Sequence, residues 1–326
     1  MKKTVTFCVL LFCGLSLAFA GGGRDGAEFP GGRPITLIVP WAAGGGSDIG
    51  ARILLPYLER ELGTTINIIN PAGAAGWVGW ERLLTTPADG RTISLVNFPA
   101  LHLGYLDPSL GRRRTYDDFE FLGNHVTDPN GIAISPNETR FHDLPSLIAF
   151  ARNNPVTATT TGWSSQHAML IAKINDAMGT NLVPVPHTGF ADSFNAFLGG
   201  HVDILLGTVG EMLIPERNGD VRPLVFFSNH DVIPLMPHVP AWNAMGISPV
   251  RIHVYSQRGL AMRRGAPPEV VQILQNAIRA AVNSPTQIAQ MAEMGLMVDY
   301  LSPEEHRRVA REHHDFVSSF APMFGW

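Results

Sequence analysis

The chain has 326 residues, 45% of them hydrophobic and 16% charged, with a formal net charge of −4. That balance supplies a core and excludes a disordered chain, a fibre or a disulfide-stapled miniprotein. Nucleic acid and anionic membrane surfaces are poor partners for it.

Residues 1–20 open with Lys2 and Lys3, pass through an apolar run over 5–15 and end in Ala18-Phe19-Ala20, the order of a secretory signal peptide. The run is broken near its end by Gly14 and Ser16 and is shorter than the roughly 20 residues that span a bilayer, so cleavage after Ala20 is expected, not anchoring. Cys8 and Cys13 both fall inside this leader, which leaves the mature chain without thiol or disulfide. Cleavage also removes two of the 24 basic residues and none of the 28 acids.

After a Gly- and Pro-rich lead-in, the first strand is expected over 35–39 and a helix over 49–62, in which Pro56 predicts a kink or early break because it lacks the backbone donor. Strand 66–69, a short helix over 78–84 and strand 92–96 follow. A second series comprises strand 132–134, helix 144–151, strand 156–159, helix 166–178, strand 182–184, helix 191–198 and strand 202–206. Strand 221–228 then leads out, 230–249 is Pro-rich and aperiodic, and helices over 267–281, 285–294 and 303–320 end the chain. Strands alternating with helices predict an α/β fold with parallel sheets covered on both faces. The expected division is a signal peptide at 1–20, a discontinuous first domain at 30–125 and 226–326, and a second at 126–225.

The strongest local signal is the loop Trp41, Ala42, Ala43, Gly44, Gly45, Gly46, Ser47 and Asp48. Consecutive glycines let the backbone approach a guest, and the loop opens a helix whose unpaired N–H groups favour an anion. Ser47 is expected to cap the helix and Asp48 to sit in its first turn. A dinucleotide fingerprint from Gly44 would need glycine at Ile49, and a phosphate loop would need lysine at Gly46. A carboxylate or other small anion is therefore the better guest, against the plainer reading of a tight turn. A second strand-to-helix loop, Thr161, Gly162, Trp163, Ser164 and Ser165 ahead of His167, could face the first across a cleft.

These features, taken in order, make the chain resemble the TctC or Bug family, the periplasmic solute receptors of tripartite tricarboxylate transporters. The resemblance rests on Arg33-Pro34-Ile35, Val39-Pro40, the Gly44-Gly45-Gly46-Ser47-Asp48 loop, Asn70 with Gly73, Ala74 and Gly76, and Pro87 with Asp89-Gly90 and Thr92. In the second half it rests on Ser164-Ser165-Gln166-His167, His187-Thr188-Gly189, Leu198-Gly199-Gly200 and Gly265-Ala266-Pro267. It implies a two-lobed periplasmic-binding-protein fold of type II, with two crossings between lobes. It also implies a carboxylate gripped by both helix-opening loops through backbone amides and bridging waters, with Asn97, His187, Thr188 and Thr208 toward the ligand's far end. The implied protein is a monomer without cofactor or metal, handing its ligand to integral membrane permease subunits.

Departures from the family pattern bear on the ligand. Trp41, Trp77 and Trp163 stand where smaller or different residues are usual; they either converge on the cleft, selecting a small acid or forming a flat wall for an aromatic or extended one, or pack in the core or on a lobe surface, a reading as good as the first for Trp77. Thr188 replaces a common lysine, which argues against multiply charged acids, so the expected ligand is a mono- or dicarboxylate, an aromatic acid or an amino acid. Neither a G-x-S-x-G elbow nor an H-E-x-x-H pair occurs, which argues against an enzyme acting on an acid. A sensor passing its signal to a membrane kinase is the remaining alternative. His167 is expected to orient the second loop through its imidazole, and the adjacent His313 and His314 to lie on a charged solvent face.

Overall fold

The computed structural model describes residues 29–162, 165–228, 230–250, 252 and 254–326. The expected signal peptide, Trp163 and Ser164 lie outside the described residues. The first part of the chain forms β1 (Ile35–Ile38), α1 (Gly46–Leu62), β2 (Ile66–Ile69), α2 (Trp77–Thr85), β3 (Thr92–Phe98), α3 (Ala100–Leu106) and the long β4 (Phe119–Ile134). Next come α4 (Leu144–Ala151), β5 (Val156–Thr160), α5 (Gln166–Met178), β6 (Leu182–Pro186), α6 (Phe190–Leu198), β7 (Ile204–Thr208), α7 (Val209–Arg217) and β8 (Arg222–Phe227). The chain returns through β9 (Tyr255–Arg263) to α8 (Pro268–Val282), α9 (Pro285–Glu293) and α10 (Pro303–Ser318).

Strand β4 is shared between the halves of the molecule, and β9 brings the chain back to the first half. Residues 119–129 of β4 pair antiparallel with β9, which pairs antiparallel with β3, while β1 runs parallel between β2 and β3. Residues 130–134 of the same β4 pair with β7 and β8, and β7 continues in parallel to β5 and β6. Each half has its own apolar core. Ile35, Leu37 and Leu95 pack with Leu54 and Leu58 of α1 and Leu274 and Ile278 of α8 in the first, and Ile132, Ile204 and Leu206 pack with Leu147 and Leu170 in the second. Proteins divided this way place ligands where the halves face each other.

Three sequence expectations change. Helix α1 runs through Pro56 to Leu62, with Arg52 and Pro56 on its exposed side while Leu54, Tyr57 and Leu58 stay packed. Residues 226–254 belong with the second half, since Phe226, Ile233, Met236, Trp242, Ile252 and Val254 sit in its cores, and the return to the first half is β9, not residue 226. The histidines of α10 turn inward: His314 Nδ1 lies 2.7 Å from the Tyr105 hydroxyl and His313 Nε2 lies 2.9 Å from Gln257 Oε1.

Candidate functional site

The N-terminus of α1 is held open from beneath. Gly45 occupies the cap position without any side-chain bond, and Ile49 N–H is bonded to Gly45 O at 2.9 Å, so the N–H groups of Gly46, Ser47 and Asp48 lie at the helix mouth ahead of the first full turn. The expected cap, Ser47, is thus one of the helical residues. Gly44, at φ +84°, needs glycine, whereas Gly45 has φ −76° and is free of side chain for another reason: the mouth stays uncovered.

Asp48 does not present its charge to the mouth. Its side chain is 2% exposed; Oδ2 accepts from Gly44 N–H at 2.9 Å and Arg52 Nε at 2.8 Å, and Oδ1 from Asn70 Nδ2 at 3.0 Å. Asn70 also donates to Trp41 O at 3.0 Å, so the acid and the amide pin both ends of the loop. Burial pushes this carboxyl up, but the bonds from Arg52, Gly44 and Asn70 outweigh it and hold it below the ordinary aspartate value.

A cavity of about 460 Å³ opens at this mouth. Trp41, Gly45, Gly46 and Ser47 form one side; Phe190, Thr208, Gly210 and Glu211 form the side across it, from the second half. Asp128 on β4 and Arg258 on β9 also line it. A slightly larger cavity of about 490 Å³ lies on the opposite face of the same strands, lined by Thr127, Pro129, Tyr255 and Gln257. Side chains alternate along a strand, which is why 128 and 258 face one cavity and their neighbours the other. Only the first cavity has helix N-termini from both halves at its rim.

The second-half helix start differs from the first. Thr208 and Glu211 form a reciprocal cap on α7, with Glu211 Oε2 accepting from Thr208 N–H at 2.8 Å and Thr208 Oγ1 from Glu211 N–H at 3.4 Å. Asp128 Oδ1 accepts from Gly210 N–H at 3.2 Å. Burial pushes both carboxyls above their ordinary values, against the nearby Arg258 charge and these hydrogen bonds.

The other expected site residues fall in several places. Ala42, Ala43 and Gly44 are exposed on the loop beside the cavity. Trp77 is not a cleft residue: it is 1% exposed, packs edge-on against Trp80 and Tyr105, and lies so close to Gly104 that a Cβ there would overlap its indole. Asn97 is buried, donating to Ser256 Oγ at 3.0 Å, and ties β3 to β9. Thr188 donates to Asp192 at the start of α6, and His187 stands 3.7 Å from the same carboxylate, leaving Phe190 to reach the cavity. Thr161 and Gly162 do not line it, and Ser165 caps α5 through Ala168 N–H. His167 is buried, with Nε2 2.9 Å from Asn130 Oδ1 and Nδ1 3.4 Å from the Thr161 hydroxyl; burial lowers it to about 4. Sequence reasoning missed Asp128, Phe190, Gly210, Glu211 and Arg258. The last carried a signal, an isolated charge between Gln257 and Gly259 in an otherwise uncharged run.

A family model described as the tripartite tricarboxylate transporter family receptor, TctC, matches residues 51–317. The chain belongs to this family. It is a periplasmic solute-binding protein, and its role is transport, not catalysis. Protein BugT of Bordetella pertussis is 26% identical over 304 residues, covering 92% of each chain. The UPF0065 protein in the gbd 5' region of Cupriavidus necator is 26% identical over 313 residues, covering 91% of this chain and 89% of that one. Among solved structures, a TctC solute-binding protein from Polaromonas superposes with a TM-score of 0.76 at 24% identity, covering 90% of this chain and 99% of that one. MatC from Rhodopseudomonas palustris, with bound malate, gives 0.73 at 22% identity over 88% and 98%. Another R. palustris protein, with adipate, gives 0.75 at 22% identity over 91% and 99%. The shared fold is the two-lobed type II periplasmic-binding-protein architecture, with β4 and β9 as the strands that pass between this TctC chain's lobes.

Proposed function

We propose that this TctC receptor takes a small organic acid, a mono- or dicarboxylate, into the cavity between the lobes and presents it, as a monomer, to integral membrane permease subunits. The observation that carries the reading is the uncapped mouth of α1, with the N–H groups of Gly46 and Ser47 at the rim of a cavity of about 460 Å³. A carboxylate there accepts backbone hydrogen bonds and meets the positive end of a 17-residue helix. The volume suits a compact metabolite. Malate and adipate in two relatives of the same fold support the chemical class. Trp41 supplies an apolar wall, and Ile49, Met294 and Leu296 the rest of the apolar lining.

In this reading the lobes move about β4 and β9, and ligand shifts the population toward a closed form in which both lobes touch it. A thermal-shift screen tests it, with mono-, di- and tricarboxylates, amino acids, aromatic acids and neutral sugars as probes. An acid at 100 times its dissociation constant stabilises by about 2.7 kcal/mol and raises the melting point. A response confined to sugars or amines would overturn the carboxylate reading.

A further inference from the structure

Among the described residues, Arg258 is the one guanidinium lining the cavity between the lobes. Its side chain is 10% exposed, yet its single acceptor among the described residues is Asp128 Oδ2, 3.5 Å from Nη2. Nε and Nη1 are buried and have no hydrogen-bond partner among the described residues. Nη1 stands 3.6 Å from the position a Cβ would occupy on Gly46, so these donors lie beside the mouth of α1. Asp128 cannot serve them all, because its other oxygen accepts from Gly210 at the start of α7.

A guanidinium keeps its charge at any physiological pH and holds five donors in a rigid fork that matches a carboxylate. Burying it with donors unmet is costly unless a partner arrives. Gly46 brings no side chain between the fork and the helix mouth. Resting on the carboxylate reading above, we propose that Arg258 is the specificity-determining counter-ion of the ligand, pairing directly with the carboxylate seated at the mouth of α1. Recognition then combines a fixed cation on a crossing strand with backbone amides of the first lobe. The ligand class narrows to acids whose carboxylate is unhindered enough to meet both. Discrimination against the isosteric amide follows, since an amide brings no charge to the fork.

The test measures binding of acetate, lactate, malate, adipate and benzoate, each beside its primary amide, by titration calorimetry of the full-length protein and of Arg258→Gln and Arg258→Lys. Losing charge-assisted bonds from a buried partner lowers acid affinity about 10- to 100-fold. Arg258→Gln is expected to lose that much for the acid while its amide affinity stays level, closing the gap between the two; Arg258→Lys keeps part of the gap. Equal acid affinity in wild type and Arg258→Gln, or equal loss for acid and amide, would overturn the proposal and leave Arg258 a packing partner of Asp128. If Arg258→Gln does not fold, an unchanged acid-to-amide ratio in Arg258→Lys overturns it equally. Failure of every acid to bind wild type defeats the underlying carboxylate reading, and it does so before any substitution is made.

Discussion

The starts of α1 and α7 stand on opposite sides of one cavity, and only one is left open. At α7 the donors are spent internally: Thr208 and Glu211 cap each other, and Asp128 accepts from Gly210. At α1 the acid is drawn beneath the loop, where Asp48 accepts from Gly44, Arg52 and Asn70, and the first helical N–H groups meet the cavity. A helix N-terminus attracts anions only while its donors are unclaimed. The same acidic residue type therefore closes one mouth and props the other open, depending on whether its carboxylate sits ahead of the helix or under the loop.

The largest expected effect comes from covering the open mouth. Gly45 has an extended backbone that accepts a β-branched residue, and a Cβ there would lie 3.6 Å from Ala42 O, an ordinary contact. Gly45→Val should fold, at a cost of about 1 kcal/mol at the cap position, while its methyl groups screen the N–H groups behind it. Two lost bonds to a charged guest remove about 3 kcal/mol or more, over 100-fold in affinity. The ligand-dependent rise in melting temperature should vanish. A retained rise would mean that the mouth is merely a turn and the contrast with α7 carries no function.

A third helix start sharpens the contrast through pH. At α5, Asn130 Oδ1 also accepts from Gln166 Nε2, so the 2.9 Å contact requires His167 to donate from Nε2, leaving Nδ1 to accept from Thr161. The ring is neutral when folded, with its pKa lowered to about 4 by burial, below the ordinary histidine value of ~6.5. Its unfolded form therefore binds a proton first. The stability that the neutral ring preserves is fully present above pH ~6.5 and is lost progressively as pH falls toward 4. His125 and His306, each lowered to about 3 by burial, act in the same direction. In denaturant titrations from pH 7.5 to 5, His167→Gln should show a shallower decline than wild type by one proton's slope. Identical slopes would show that His167 is not held neutral by the fold.

What could be read along the chain, and what could not, follows the range of the interactions involved. The glycine loop was legible because Gly44, Ser47 and Asp48 act on backbone within a few residues; the cap was misplaced by two positions because glycine and serine are both good caps. Most of β4 and all of β9 escaped notice. Asn124, His125, Thr127, Asp128, Gln257 and Arg258 are buried there only because strands crossing between lobes are covered from both sides, and polar residues in sequence suggest exposure. Helix α7 was hidden by Gly210 and Pro215, and its apolar Val209, Met212 and Leu213 are too few to mark a period. Trp77 shows the opposite limit: a tryptophan next to glycine is equally compatible with a cleft and a core, and α3, which encloses it, was not foreseen.

The smallest expected effect probes the closed mouth directly and has a sign opposite to the others. Glu211 lines the cavity, where its ionised form opposes the ligand's carboxylate. Glu211→Gln keeps the reciprocal cap, because a glutamine oxygen still accepts from Thr208 N–H, and removes only the charge. Removing the repulsion between two like charges should make the variant bind acids more tightly and their amides no more tightly. Burial raises the carboxyl of Glu211, so the wild-type side chain protonates earlier than an ordinary glutamate as pH falls, and the advantage of the variant should shrink on acidification. Acid affinities measured at pH 7 and pH 5 decide the matter. Weaker binding by Glu211→Gln would mean that the ligand offers a donor to this carboxylate, and that the second lobe recognises the guest through its acid instead of merely tolerating it.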